Sequence, residues 1–128
     1  MTYNNRSLAG QPILPYADFQ SYLGQDVFAN LSFLDHTKTP VTPLTLQYRM
    51  DDITNQQNLI PLTNVTTGLA SSMVYQIPAA SMQINYAWEG SIIAQISWSF
   101  TAVDSVTGTT FTGNSVNVVE IINIQVPG

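Results

Sequence analysis

The chain contains no cysteine, only three basic residues and a single histidine, and no apolar run of membrane-spanning length. The missing cysteines exclude disulfide staples, thiolate nucleophiles and cysteine-based zinc sites, and leave the redox compartment unmarked. Arg6, Lys38 and Arg49 stand against eight carboxylates, for a net charge of -5. A surface that binds nucleic acid by neutralising phosphates is therefore not expected. The opening Met-Thr-Tyr-Asn-Asn-Arg lacks the apolar core of a signal peptide, so the expected place of folding is the cytoplasm. Charged residues make up 9% of the chain, against about 25% in an ordinary domain. The polar surface must then be mostly Ser, Thr, Asn and Gln, which repels neighbours weakly and lacks the lysines that usually guard sheet edges. Low charge with aromatics retained is also the composition of an interface core, so assembly is expected ahead of a monomer with an uncharged coat.

With 128 residues, the chain fits one domain that can bury a core without staples. The clearest pattern is Ser91 to Val103, where Ile92, Ala94, Ile96, Trp98, Phe100 and Ala102 alternate with smaller or polar residues. A period of two marks a half-buried strand. After the turn-rich Asp104 to Thr109, a second β-rich run from Val116 to Val126 should pair with it as an antiparallel hairpin. At about 3.3 Å per residue the alternation spans about 36 Å, long enough for part of the hairpin to project beyond a sandwich. Earlier strands are expected from Val27 to Leu34, Leu44 to Met50, Leu59 to Leu62 and Met73 to Ile77. Ser81 to Gly90 alternates as a strand would but reads equally as a packed loop. Six strands follow, or seven if the N-terminal arm adds one near Ile13. With no long amphipathic helix, the expected fold is all-β, a two-layer antiparallel sandwich. Leu31, Phe33, Leu46, Tyr48, Trp98 and Phe100 are its expected centre.

Residues 1–25 form an arm distinct from the sandwich domain of residues 26–128. Pro15 and Gly24 bracket a short helix expected over Tyr16 to Leu23, and the rest should be extended. Such an arm spends many large apolar residues, which a disordered tail rarely does. It either lies across its own sandwich or reaches a neighbouring subunit. The residues expected to contact partners are Tyr3, Leu8, Ile13, Leu14, Tyr16, Phe19 and Tyr22 in the arm, Trp88 in a loop, and Val106 and Thr107 at the hairpin tip.

No motif carries catalysis, and no cofactor, metal or small-molecule substrate is expected. His36, beside Asp35 and Lys38 in a proline-bordered loop, reads as an exposed loop histidine; it has no partner histidines for zinc and no triad motif. Asp51 and Asp52 should point to opposite faces of a strand end, where an Asx turn explains them better than a cation site drawing on Asn55, Asn58 or Asp104. Glu89 and Glu120 are the only glutamates. Glu120, between Val118-Val119 and Ile121-Ile122, should face outward or mark a bulge. Trp88 is the tryptophan that could stack on a sugar, although a loop tryptophan more often caps a core.

The stretch Leu31-Ser-Phe-Leu-Asp-His-Thr-Lys-Thr-Pro-Val-Thr-Pro-Leu-Thr-Leu-Gln-Tyr-Arg-Met-Asp-Asp52 resembles strand B, the B-C loop and strand C of bacterial and phage immunoglobulin-like domains. The resemblance implies that Asp35 ends strand B, that Pro40-Val41 lies in the loop, that Leu44 to Met50 is strand C, and that the Ser91 to Val126 hairpin is strands F and G. The cysteine pair, the tryptophan of strand C and the tyrosine corner of antibody domains are lacking. The family implies adhesive or architectural work. The expectation is a structural virion protein of a tailed phage (capsid decoration, neck or tail accessory subunit) whose partners are other virion subunits, itself included, with no nucleic acid and no membrane. The alternative is a glycan- or receptor-binding adhesion module.

Overall fold

The computed structural model of the protein describes residues 19–88 and 90–123. Seven strands run through them: β1 (Phe19–Tyr22), β2 (Val27–Ser32), β3 (Thr45–Asp52), β4 (Gln57–Asn64), β5 (Ser72–Ile77), β6 (Gly90–Val103) and β7 (Thr110–Asn123), with one 3-10 turn at Ala79–Ser81. They make a five-stranded sheet in the order β1-β7-β6-β3-β4 and a two-stranded sheet of β2 and β5. Every pairing is antiparallel except that of β1 with β7. The architecture is all-β, with the two sheets stacked as layers of a sandwich.

Alternation in the sequence decides what is buried between them. Val27, Ala29 and Leu31 of β2, Leu46, Tyr48 and Met50 of β3, and Ile92, Ala94, Ile96 and Trp98 of β6 all face inward, and their neighbours face out. Where the layers meet, Tyr48 packs against Trp98 at 5.1 Å and against Tyr75 of β5 at 5.3 Å between ring centroids. Such aromatic pairs add about 0.5–1.5 kcal/mol each beyond the area they bury. The indole Nε1–H of Trp98 donates to Asn117 Oδ1 at 2.7 Å, so the buried donor is satisfied by β7. A second aromatic row, Phe33, Phe100 and Phe111, closes the end of the core nearer the hairpin tip.

Three expectations need correction. The helix over Tyr16 to Leu23 is not formed in its described part: Phe19–Tyr22 is a strand in parallel register with Val119 to Ile122, and the Leu23 amide donates to the Ile122 carbonyl at 2.9 Å. Pairing with a strand a hundred residues away outweighs a local helical spacing. Within the described residues, the strand added to the expected six is this one; Ile13 lies outside them. β7 begins at Thr110 rather than Val116, because all fourteen residues of β6 find partners on it. The hairpin does not project: Ile92 near one end of β6 and Ala102 near the other are both buried. Of the two readings left open for Ser81 to Gly90, the packed loop describes Ser81 to Trp88. Met82, Ile84, Tyr86 and Trp88 lean on the core, and the Gln83 amide donates to the Leu59 carbonyl.

β4 is the other outer strand of the large sheet and carries Pro61, as an edge can. Register shifts around Met50 bring the consecutive Leu59 and Ile60 both into the core.

Candidate interaction surface

Of the residues expected to contact partners, Tyr3, Leu8, Ile13, Leu14 and Tyr16 lie outside the described residues, and Phe19 is described only as backbone of β1. Tyr22 is exposed, as are Leu23 just after it and Phe28 on the outer face of β2. Around them runs an open groove of about 700 Å³ lined by Ser21, Tyr22, Gly24, Asp26 and Phe28. Gly24 has φ +90° in the turn that reverses the chain from β1 to β2, a conformation that favours glycine. Asp26 fixes the turn by accepting from Gln76 Nε2 at 2.6 Å and from the Ala79 amide at 2.8 Å; these bonds hold its carboxyl below the usual range. Val74 of β5, also exposed, shares the outer face with Phe28.

Trp88 is half-buried. It packs against Tyr86 with centroids 5.8 Å apart, and its Nε1 is buried without an acceptor among the described residues. Its carbonyl accepts from Asn123 Nδ2. Tyr86 in turn donates through its hydroxyl to the fully buried Asp52 at 2.7 Å, and burial followed by that bond pushes the phenol pKa up. Asp52 also accepts from the amide and side chain of Asn55, which is the expected Asx turn. Asp51 points the other way and takes a two-pronged contact from Arg49, at 2.9 and 2.8 Å, plus Asn58. The two carboxylates do not converge. Asp52 lies opposite Ala94, whereas Asp104 follows Val103 at the other end of β6.

At the hairpin end two loops clasp each other. Asp35 Oδ1 accepts from the Thr37 and Thr39 amides of its own loop, and Oδ2 accepts from the amide and hydroxyl of Ser105 across the gap. Asp104 answers in kind: Oδ1 caps its own turn through the Val106 and Thr107 amides, and Oδ2 pairs with Nδ1 of His36. Both carboxyls are held below the usual range, that of Asp35 chiefly by the side chains of Ser105 and Thr37, that of Asp104 chiefly by the Thr107 amide. Ligand atoms of Asp35, His36 and Asp104 lie within 4.8 Å of one another, near enough for a metal ion. Each carboxylate oxygen, however, already has a polar partner, and a hard cation would have to displace those contacts before coordinating. The cluster is built as a clamp. It presents Val106, 69% exposed, and Thr107 at a fixed tip. This reciprocity between positions seventy apart has no local sequence signal beyond two aspartates in turn-rich loops.

Glu120 sits in unbroken β6–β7 register and faces outward without a bulge, accepting from Gln20 and Ser91. Glu89 lies outside the described residues. Asp26, Asp35, Asp51, Asp52, Asp104 and Glu120 are thus all committed to neighbours.

The hydrogen-bonding capacity left over is on the backbone of β7. Because the Ile122 carbonyl faces β1, alternation turns the even-numbered residues of β7 to that side and the odd-numbered ones to β6. β1 covers only Val119 to Ile122, and Val118 is also engaged. Among the described residues, none pairs with the edge-facing amides and carbonyls of Thr110, Thr112, Asn114 and Val116. That run contains no charge and no proline.

No family model, curated protein or solved structure matches this chain.

Proposed function

We propose that this chain is a structural protein working through subunit–subunit contacts, an Ig-like accessory subunit of a tailed-phage virion with copies of itself among its partners. The observation that carries the reading is the edge of β7, a straight run of backbone donors and acceptors without the lysine, proline or bulge that monomeric β proteins use to blunt such edges. Few charges oppose close approach, and Tyr22, Leu23, Phe28 and Val106 add apolar surface near both ends of the sandwich.

Strand order supports the Ig-like part. In a variable-type immunoglobulin sandwich, strands C, F and G share a sheet with C′ outside C, while B and E lie in the other. Here β3, β6 and β7 share a sheet with β4 outside β3, and β2 and β5 lie opposite. Residues 31–52, which resemble the B-to-C region of phage and bacterial Ig-like domains, run from the end of β2 through β3. The virion setting rests on that resemblance and on the low charge.

Light scattering on the purified protein tests the reading. A mass above the 14.0 kDa of one chain, rising with concentration, is expected. A strictly monomeric protein at every accessible concentration would overturn it. The glycan-binding alternative drew on Trp88, which is half-buried and packs on Tyr86; the exposed aromatics among the described residues are Tyr22 and Phe28.

A further inference from the structure

We infer that the edge of β7 binds the β7 of a second copy of this chain, antiparallel about Gly113, so that two five-stranded sheets join into one; the inference rests on the assembly reading above.

Three observations choose this occupant. The first is self-complementarity. Pairing about Gly113 sets Thr110 opposite Val116 and Thr112 opposite Asn114 of the other copy. All four are even-numbered, so all turn their N–H and C=O toward the partner, as hydrogen-bonded antiparallel pairs require. The paired window of about 23 Å, from about 3.3 Å per residue, fits between the hairpin tip at Thr109 and the start of β1 opposite Val119.

The second observation is electrostatic. Two chains of net charge -5 repel, so close contact must fall where charge is absent. From Thr110 to Val119 there is no ionisable side chain; the first is Glu120, already held by Gln20 and Ser91.

The third is that the other edges are better defended. On β4, Pro61 removes a donor, and side chains of Asn58 and Thr63 bond to the Ile60 and Pro61 carbonyls. β2 and β5 are six residues each and are flanked by Asp26 and Pro78 respectively.

The test is hydrogen exchange on the full chain at low and high concentration, together with light scattering on three variants. In the wild-type protein the amides of Thr112, Asn114 and Val116 should exchange freely when dilute and become protected at least tenfold when concentrated. Asn114→Pro removes an amide that no bond among the described residues uses, so it should raise the dimer dissociation constant tenfold or more with Tm nearly unchanged. Thr112→Lys and Val116→Lys place a guarding charge on exposed positions and should do the same, covering the case in which the proline variant folds poorly. Protection of these amides in the dilute monomer would mean that the chain's own arm covers the edge and would overturn the inference. Assembly with the amides still exchanging freely would overturn it too, while leaving the assembly reading intact.

Discussion

Gly113 is the position at which the smallest change should have a legible cost. A Cβ added there would lie 2.5 Å from Cζ of Phe100, closer still to Cε1, and 3.2 Å from Cδ1. Carbon atoms rest about 3.5–4.0 Å apart, so the ring must retreat by about 1 Å or more. It has little room, because Phe33 stands edge-on at 4.9 Å and Phe111 at 5.8 Å. Overpacking of this kind costs about 1–3 kcal/mol, and the lower chain entropy of alanine returns about 0.4–1 kcal/mol. Gly113→Ala should therefore destabilise by about 1–2 kcal/mol. For a domain of this size that lowers Tm by about 4–8 °C. The assay is thermal unfolding followed by circular dichroism, run as a double-mutant cycle with Phe100→Leu. Once the ring is gone, the same alanine should cost less than about 0.5 kcal/mol, leaving a coupling of about 1 kcal/mol. An unchanged or raised Tm in the single variant would refute the reasoning, and so would an equal cost in both backgrounds.

Trp98→Ala removes the largest ring of the central cluster and leaves Asn117 Oδ1 without its donor; a loss of about 3–5 kcal/mol is expected in urea unfolding. Tyr86→Phe leaves the packing on Trp88 but takes a donor from buried Asp52, which should cost about 1.5–3 kcal/mol in the same measurement. Acid stability follows from the lowered carboxyls of Asp26, Asp35 and Asp104. Their folded pKa values lie below the ordinary 3.8 of an aspartate, so their contribution is fully present well above pH 3.8 and fades as pH falls below it. Asp35→Asn should therefore lower Tm at pH 7 and flatten the acid limb of the Tm–pH profile; a limb as steep as wild type would assign the acid loss elsewhere.

What the sequence made legible was burial, and what it hid was pairing. β2, β3 and β6 alternate because each has one face on the core, so Leu31, Leu46, Tyr48 and Trp98 could be placed inward from their parity alone. The first half of β7 meets the core only through Phe111 and the close approach of Gly113 to Phe100, so Thr110 to Ser115 carries no apolar period and reads as loop. β1 is four residues long and owes its conformation to the β7 backbone, which no pattern within residues 16–23 encodes. The loop clamp was half visible. Asp35, His36 and the Asp104 turn each stand out as polar turn chemistry, but their mutual contact depends on the sandwich bringing two loops to one end. Exposed Tyr22 and Val106 were accessible to reasoning for the opposite reason: large apolar residues in polar turns have nothing local to bury them.

The polar groups of this protein are spent unevenly. The described carboxylates accept hydrogen bonds that cap turns, join loops or pair with Arg49, and His36 meets Asp104 through Nδ1. Steering a charged ligand needs charge, and the chain has little. Backbone donors and acceptors on β7 are different: they are fixed in direction by fourteen paired residues of β6, so a partner strand meets them already ordered and loses entropy on one side only. On the proposed assembly reading, preorganisation of that kind would strengthen each contact made through this edge. A sheet held rigid by an aromatic core and, among the described residues, uncovered from Thr110 to Val116 is suited to being extended by another strand.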